Sequence, residues 1–239
     1  MKKYLKIYQH KTHLAVTFAV ILLPLFFIFF LTPLGKTEQS LFLDDLFTST
    51  LRIAIAYALS LGIAVGLGLL FTRGRTGHIA IPLFDVLQSI PTFAILPLGV
   101  RFFGASDATV IFFLVITMVW PILFSIISSL KLSREDWEEA AEVYGARGWR
   151  RIVYFALPLT FPGVITGSIV GLADGWEVLV ATEIILGPHA RGLGGFFNEY
   201  AGSSQVVLFG VLTLLLFVFA INKLAWLPLL ERSHKLLTD

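Results

Sequence analysis

The chain has 239 residues, of which 56% are hydrophobic and only 14% charged, and its formal net charge at pH 7 is +2. A soluble domain carries about 25% charged residues, so this composition excludes a soluble globular protein and indicates an integral membrane protein. The small net charge gives no reason to expect a nucleic-acid partner, and the absence of cysteine excludes disulfides and thiolate chemistry.

Six segments are apolar and long enough to span a membrane, since a helical span needs about 20 mostly apolar residues. The chain is therefore predicted to be an all-α membrane protein, one domain over 1–239. The first segment follows a lysine-rich start, as a signal peptide would, but no small-residue cleavage site follows its apolar run, so an uncleaved span is expected. In chain order the predicted spans are 14–34, 48–71, 79–102, 108–130, 157–185 and 206–229.

The basic residues predict the orientation of these spans, because cytoplasmic loops of membrane proteins are enriched in Lys and Arg. With the N-terminus inside, 14 of the 18 Lys and Arg residues fall on cytoplasmic segments, and both termini are cytoplasmic. The exceptions, on or near the outer segments, are Lys36, Arg52, Arg101 and Arg191.

A polar stretch, 131–155, separates the fourth and fifth spans and lies on the predicted cytoplasmic side. Within it Ala140, Ala141 and Tyr144 recur at helical spacing between charged residues. This pattern predicts a short amphipathic helix that ends at Gly145, because glycine readily adopts the left-handed conformation common at helix ends. Such a helix, held between two spans, is shaped to sit in the groove of a cytosolic partner.

The same stretch resembles the signature loop of the inner-membrane permease subunits of bacterial ATP-binding-cassette importers. The family pattern is Glu-Ala-Ala, three residues, Gly, nine residues, Ile, any residue, Leu-Pro. The chain has Phe155 in the place of the Ile and matches the rest of the pattern at Glu139, Ala140, Ala141, Gly145, Leu157 and Pro158.

The resemblance implies the six-span bundle of a type I importer permease in a bacterial inner membrane, with the matched residues docking on an ATPase. The implied partners are two cytosolic ATPases, a second permease subunit, identical or different, and an extracytoplasmic substrate-binding protein. ATP and Mg would be bound by the ATPase, so the chain itself is expected to hold no cofactor or metal and to have no catalytic residues.

Weaker resemblances concern the substrate. Trp176, Ala181-Thr182-Glu183 and Gly192-Leu193-Gly194 are similar to the nitrate, sulfonate and taurine branch of the family. Gln88-Ser89-Ile90-Pro91 resembles a third-span pattern that osmoprotectant permeases share. The substrate class therefore stays open between these branches.

Polar residues inside spans are costly and indicate function or pairing. We interpret two such sets as the lining of a translocation pathway; the alternatives are interhelical hydrogen bonds and carboxylates at the headgroups. An ion-coupled secondary carrier, with Asp174 or Glu177 as the ion site, is the competing function. The two sets are Asp85, Gln88, Ser89 and Thr92 in the third span, and Asp174 and Glu177 in the fifth.

Glycine recurs at every fourth position of the fifth span, which predicts close packing against another helix, within the subunit or across a dimer. Gly62 and Gly66 in the second span predict another close contact. The four glycines of the fifth span are Gly163, Gly167, Gly171 and Gly175.

Overall fold

The computed structural model describes residues 36–71, 74–131, 135–226 and 228–230, and all regular structure within them is helical. The predicted first span, 14–34, lies outside the described residues. Two 3-10 turns, Thr92–Ile95 and Gly187–His189, and two π-helical segments, Ile152–Ala156 and Asn222–Trp226, join or extend the α-helices. The α-helices are α1 (Lys36–Phe71), α2 (Gly74–Gln88), α3 (Leu96–Phe103), α4 (Asp107–Lys131), α5 (Glu135–Val143), α6 (Trp149–Arg151), α7 (Leu157–Leu186), α8 (Leu193–Glu199) and α9 (Ser204–Ile221).

Four helical stretches of the described chain are long and apolar enough to cross a membrane. They contain the predicted spans 48–71, 108–130, 157–185 and 206–229, in that order. Their bounds are Glu38–Phe71, Asp107–Lys131, Trp149–His189 and Ser204–Leu230.

The stretch predicted as one span over 79–102 is broken. Gly77–Gln88 and Thr92–Phe103 meet at an angle of 79°. Pro91 lies at the break in an extended conformation, with φ −61° and ψ 117°. Proline lacks the N–H that would continue the helix and disfavours helical geometry at the residue before it, here Ile90. The two arms form a fifth crossing only if they are taken together.

Helix α1 begins at Lys36, well before the predicted start of the span at residue 48. A hydropathy window excludes the first turns of the helix because they contain Asp44 and Asp45. These turns nevertheless bury an apolar stripe on one side of the helix. The ring of Phe42 is 1% exposed. Its centroid lies 5.2 Å from that of Phe196 and 5.4 Å from that of Phe209. Packing against α8 and α9 therefore extends the helix beyond the apolar span.

Helix α4 is the core of the described bundle, with α1 and α7 packed along it. Its side chains fill two clusters, one shared with α1, α7, α8 and α9 and the other with α1, α2 and α7. The fully buried members on α4 are Val110, Phe113, Leu114, Met118, Ile122, Leu123 and Ile126.

The glycine row of α7 faces α4. A Cβ on Gly163 would lie 2.4 Å from the carbonyl oxygen of Ser125, and one on Gly167 would lie 2.6 Å from the Cα of Ile122. Gly171 and Gly175 lie against Met118 of the same helix. The close approach is therefore made within this chain, which the sequence left open.

Gly62 and Gly66 of α1 do not make the close contact predicted for them within the described residues, since a Cβ at either would meet nothing within 4 Å. The tight position on α1 is Gly68, where a Cβ would lie 2.6 Å from Cγ2 of Ile126 on α4.

Candidate functional site

Helix α5 lies between α4 and α7, where the sequence predicts a short amphipathic helix. Gly145 has a φ of 71°. The N–H of Ala146 donates to the carbonyl of Ala141 at 2.8 Å, and that of Gly145 donates to Glu142 at 3.0 Å. This pair of bonds is the Schellman arrangement, which satisfies the last carbonyls of a helix and turns the chain back. The predicted helix end at Gly145 is thus observed.

Arg151, to which the sequence analysis gave no role, fixes this turn. Its Nη2 lies 3.2 Å from Glu138 and its Nη1 lies 3.1 Å from Glu142. The guanidinium also lies over the ring of Phe155, 5.9 Å from its centroid. Glu138 and Glu142 share one face of α5 because they are four residues apart, and that spacing was the available signal for a shared basic partner.

Four of the six matched motif residues meet at one apolar groove of about 890 Å³ between α5 and the start of α7. They are Ala140 and Ala141 from α5 and Leu157 and Pro158 from α7. Glu139 is exposed on α5, and Gly145 forms the turn that brings the two walls together. The groove is completed by Trp137, Tyr144, Ala146, Tyr154, Phe155, Leu159 and Phe161.

Large side chains around this groove face outward. Tyr144 is 89% exposed, Val143 85% and Tyr154 77%. Trp149, next to Arg150, is 75% exposed. An apolar patch of this kind at a helix–loop junction, rimmed by charged residues, is typical of a surface that binds another protein.

The predicted polar set of the third span lies at the break between α2 and α3. Gln88 donates from Nε2 to Oδ1 of Asp85 at 2.7 Å, and Ser89 donates from Oγ to the backbone carbonyl of Asp85 at 2.9 Å. These three residues are exposed, whereas Thr92 is half-buried in the following 3-10 turn. Exposed polar side chains thus lie beside non-helical backbone in the middle of an apolar stretch.

Asp174 and Glu177 lie on a different part of the molecule. Both are exposed on α7, whereas α2 packs against α4 through Ala80 and Phe84. Within the described residues no hydrogen bond joins these two acids to the Asp85 group. The structure therefore brings Asp85, Gln88 and Ser89 together but leaves Asp174 and Glu177 apart from them.

A buried charge cluster lies at the end of α4 and α7 opposite α5. The side chain of Glu183 is fully buried, and its Oε1 lies 2.5 Å from Nη1 of Arg52. Nη2 of Arg52 lies 2.6 Å from Asp107, the first residue of α4. Glu183 lies near the end of α7, at the end of the predicted span 157–185, and it is buried and paired with Arg52 there.

Two backbone N–H groups complete the cluster. Ser49 donates from Oγ to Glu183 at 2.8 Å and accepts from the N–H of Leu193 at 3.0 Å. The N–H of Gly194 donates to Oε2 of Glu183 at 2.9 Å. A Cβ on Gly192 would lie 2.4 Å from Oε1 of Glu183, so only glycine lets this segment approach the carboxylate.

The profile of a known family, the binding-protein-dependent transport system inner membrane component, matches residues 58–225. The chain belongs to this family. The matched region of this transport component contains the break between α2 and α3, helix α5 with its groove, and Glu183 with the glycines that cover it.

Named relatives of this inner membrane component are permease proteins of transport systems. The chain is 30% identical over 195 residues to the taurine transport system permease protein of Escherichia coli, which covers 80% of this chain and 69% of that protein. It is 26% identical over 175 residues to the nitrate import permease protein of Synechocystis sp., covering 72% of this chain and 62% of the relative. It is also 26% identical over 153 residues to the bicarbonate transport system permease protein of Synechococcus elongatus, covering 64% and 55%. The chain thus spans less than two thirds of the length of the nitrate and bicarbonate relatives.

Proposed function

We propose that this chain is the membrane-spanning permease subunit of an ATP-binding-cassette importer, and that α5 couples it to a cytosolic ATPase. The observation that carries the proposal is the convergence of Ala140, Ala141, Leu157 and Pro158 on one groove. These residues come from two helices, and the Gly145 turn and Arg151 hold them together. Motif residues that are separated along the sequence therefore form one surface in the folded chain.

The groove suits a protein partner for two physical reasons. Its walls are apolar and lined by small residues at Ala140 and Ala141, so a partner side chain can approach the helix closely. Its rim carries Glu139 and the exposed Arg147 and Arg150, which can pair with charges on that partner. We propose that this short helix acts as a rigid lever at the base of α7.

Alternating access then follows from differential binding. Closure of a pair of ATPases around ATP and Mg would shift the docked α5 helices and open the permease pair on the far side. Nucleotide binding can shift this equilibrium only through contacts that differ between the two states, so the lever has to be held firmly. The Schellman turn and the two ion pairs of Arg151 supply that firmness.

The proposed function also specifies the domain, the membrane topology and the other partners of the chain. The chain is one permease domain, 1–239, with a coupling loop over 131–155. It crosses the bacterial inner membrane six times, counting 14–34 and the broken α2–α3 pair as spans, with both termini cytoplasmic. It pairs with a second permease subunit and receives substrate from an extracytoplasmic binding protein.

The transported solute is proposed to be a small oxoanion or sulfonate, because relatives are named for nitrate, taurine and bicarbonate transport. Asp85, Gln88 and Ser89 at the broken span are proposed to line its route, because non-helical backbone at membrane depth is tolerated where it lines a water-filled cavity or is buried in protein.

Substitutions in the groove test the coupling role. Ala141→Trp fills the groove, and Gly145→Val forces a β-branched residue into a positive φ that it resists. Both are expected to reduce co-purification of the partner ATPase about tenfold or more, equivalent to ~1.4 kcal/mol of binding free energy. Glu139→Gln should be milder, since an exposed ion pair contributes about 0–1 kcal/mol.

Matched controls lie at the opposite end of the molecule. Ala201→Trp and Gly202→Val change the same residue types at exposed positions, and they should leave ATPase co-purification unchanged. All variants are first checked for insertion into membranes, and transport by the groove variants is then measured in vesicles. Normal ATPase binding and transport by both Ala141→Trp and Gly145→Val would mean that α5 is an ordinary solvated loop helix.

A further inference from the structure

The carboxylate of Glu183 is buried and fully hydrogen-bonded. Its two oxygens accept hydrogen bonds from the hydroxyl of Ser49, the guanidinium of Arg52 and the N–H of Gly194. Burial of an ion pair adds little to stability compared with an apolar pair of the same size, because removing the charges from water is costly. This buried pair, in which both carboxylate oxygens are hydrogen-bonded, is therefore better explained by a need to hold the neighbouring backbone in a precise position than by a gain in stability.

The segment placed by these bonds is the cap, residues 187–203, which connects α7 to α9. Its backbone lies directly on the cluster at Gly192 and Gly194, where added Cβ atoms would meet Glu183 at 2.4 and 2.5 Å. Through Ser49 and the N–H of Leu193 the cap is also bonded to α1. The cap is thus fixed to two transmembrane helices by polar bonds that have defined lengths and directions.

Arg52 extends the cluster to a third helix. One of its terminal nitrogens contacts the buried Glu183, and the other contacts Asp107, whose side chain is 67% exposed at the start of α4. The guanidinium presents its donors in a rigid fork, so it fixes the two carboxylates relative to each other. Helices α1, α4 and α7 are therefore tied together at the point where the cap lies on them.

An outward-opening cavity of about 330 Å³ lies between the cap and the first turns of α1. Its α1 wall contains Leu41 and Asp45. Gly192 belongs to both the cavity and the cluster, so the position of Glu183 sets the distance between the cavity walls. The cap wall is formed by Gly187, Pro188, Arg191, Gly192, Gly195, Asn198 and Glu199.

We propose that Glu183 and Arg52 are positioning residues that hold the cap cavity in register with α1, α4 and α7 to receive a polar loop of the extracytoplasmic binding protein. The cavity carries acidic Asp45 and Glu199, basic Arg191 and the amide of Asn198, so it can pair with both charges of such a loop. This partner rests on the proposed importer function.

The first experiment needs no partner. Hydrogen–deuterium exchange is measured on the full chain in lipid nanodiscs for wild type, Glu183→Gln, Arg52→Gln and the double variant. Glu183→Gln and Arg52→Gln should raise exchange at the amides of Leu193 and Gly194. The first leaves buried Arg52 with only the exposed Asp107 as its anionic partner, and the second leaves the buried carboxylate of Glu183 without its cation. The double variant should recover part of that protection, because two neutral amides can bond to each other. The control, Asp44→Asn, changes an exposed carboxylate on α1 and should leave exchange in the cap unchanged.

The second experiment separates positioning from a general loss of structure. ATPase activity of the reconstituted importer is measured against the concentration of its liganded binding protein. In Glu183→Gln the half-saturating concentration should rise about tenfold, while the maximal rate changes by less than about twofold, the pattern of lost binding. An equal loss in both quantities would contradict the positioning role.

Each experiment can contradict one part of the proposal without deciding the other. Unchanged exchange at Leu193 and Gly194 in both single variants would overturn the role of the cluster, whatever the activity shows. A wild-type complex whose ATPase ignores the binding protein would overturn the importer function and the proposed partner, while the exchange result would still decide whether Glu183 and Arg52 position the cap.

Discussion

Gly167 and Gly62 both lie inside apolar membrane helices, yet the space available for a Cβ atom differs between the two positions. A Cβ on Gly167 would lie 2.6 Å from the Cα of Ile122 and 2.8 Å from the carbonyl of Pro121, so backbone would have to move. A Cβ on Gly62 would meet nothing within 4 Å. The first glycine is required for helix packing and the second is not, within the described chain.

Substitution by alanine should separate these two positions. Gly167→Ala is expected to destabilise the bundle by about 1–3 kcal/mol, because overpacking a close helix contact forces the backbone apart. Gly62→Ala should be neutral or slightly stabilising, since alanine loses less conformational freedom than glycine in a helix, by about 0.5–1 kcal/mol. Thermal unfolding midpoints in detergent measure both, and equal midpoints for the two variants would show that α7 does not depend on this contact.

Sequence spacing predicted that the glycines of α7 lie on one face, because a period of four residues follows the helix surface. It did not identify α4 as the partner, and it selected Gly62 and Gly66 where Gly68 makes the close contact. Periodicity identifies a face of a helix, whereas the neighbour of that face depends on the packing of the whole bundle. The pairing of Glu183 with Arg52 was hidden for the same reason, since 131 residues separate them.

At the scale of elements, the pair α2 and α3 departs most from a uniform apolar span. A hydropathy window averages over Pro91 and cannot distinguish a continuous helix from two arms at 79°. Pro91 was nevertheless a readable signal, because proline disfavours helix at the residue before it. The bounds of helices α4 and α7 were predicted closely because their apolar runs are long. Both helices contain an internal proline, Pro121 in α4 and Pro162 in α7, and continue through it.

If the break lines an aqueous route, a thiol placed there should react with water-soluble reagents. Ser89→Cys in the assembled transporter is expected to react about tenfold or more faster than Val211→Cys, which is exposed on the apolar face of α9, because thiols in apolar surroundings have a raised pKa and form little reactive thiolate. Reaction rates with a small charged thiol reagent provide the measurement, and the natural chain contributes no background because it has no cysteine. Equally slow reaction at both positions in every nucleotide state would assign the Asp85 group to packing.

On the scale of the whole molecule, the two ends of the bundle have different chemistry. The α5 end presents an apolar groove and, sharing Ala146 with it, a polar pocket lined by Arg147 and Arg151. The cap end presents a polar cavity above a buried ion pair. If the groove binds an ATPase and the cavity binds a binding protein, as proposed, these two ends have to face opposite sides of the membrane.

The orientation of the molecule is therefore the prediction on which both proposed partners depend. Basic residues concentrate on the α5 side, and cytoplasmic loops are the ones enriched in Lys and Arg, so α5 should face the cytoplasm. Gly202→Cys, at an exposed turn of the cap, should be labelled in intact cells by a membrane-impermeant maleimide. Arg147→Cys, on the exposed loop after α5, should be labelled only after the membrane is permeabilised. Each variant contains a single cysteine, so every signal reports one position. The reverse pattern would place the groove outside the cell, beyond the reach of any ATPase, and would contradict the coupling proposal together with the docking role of the cap.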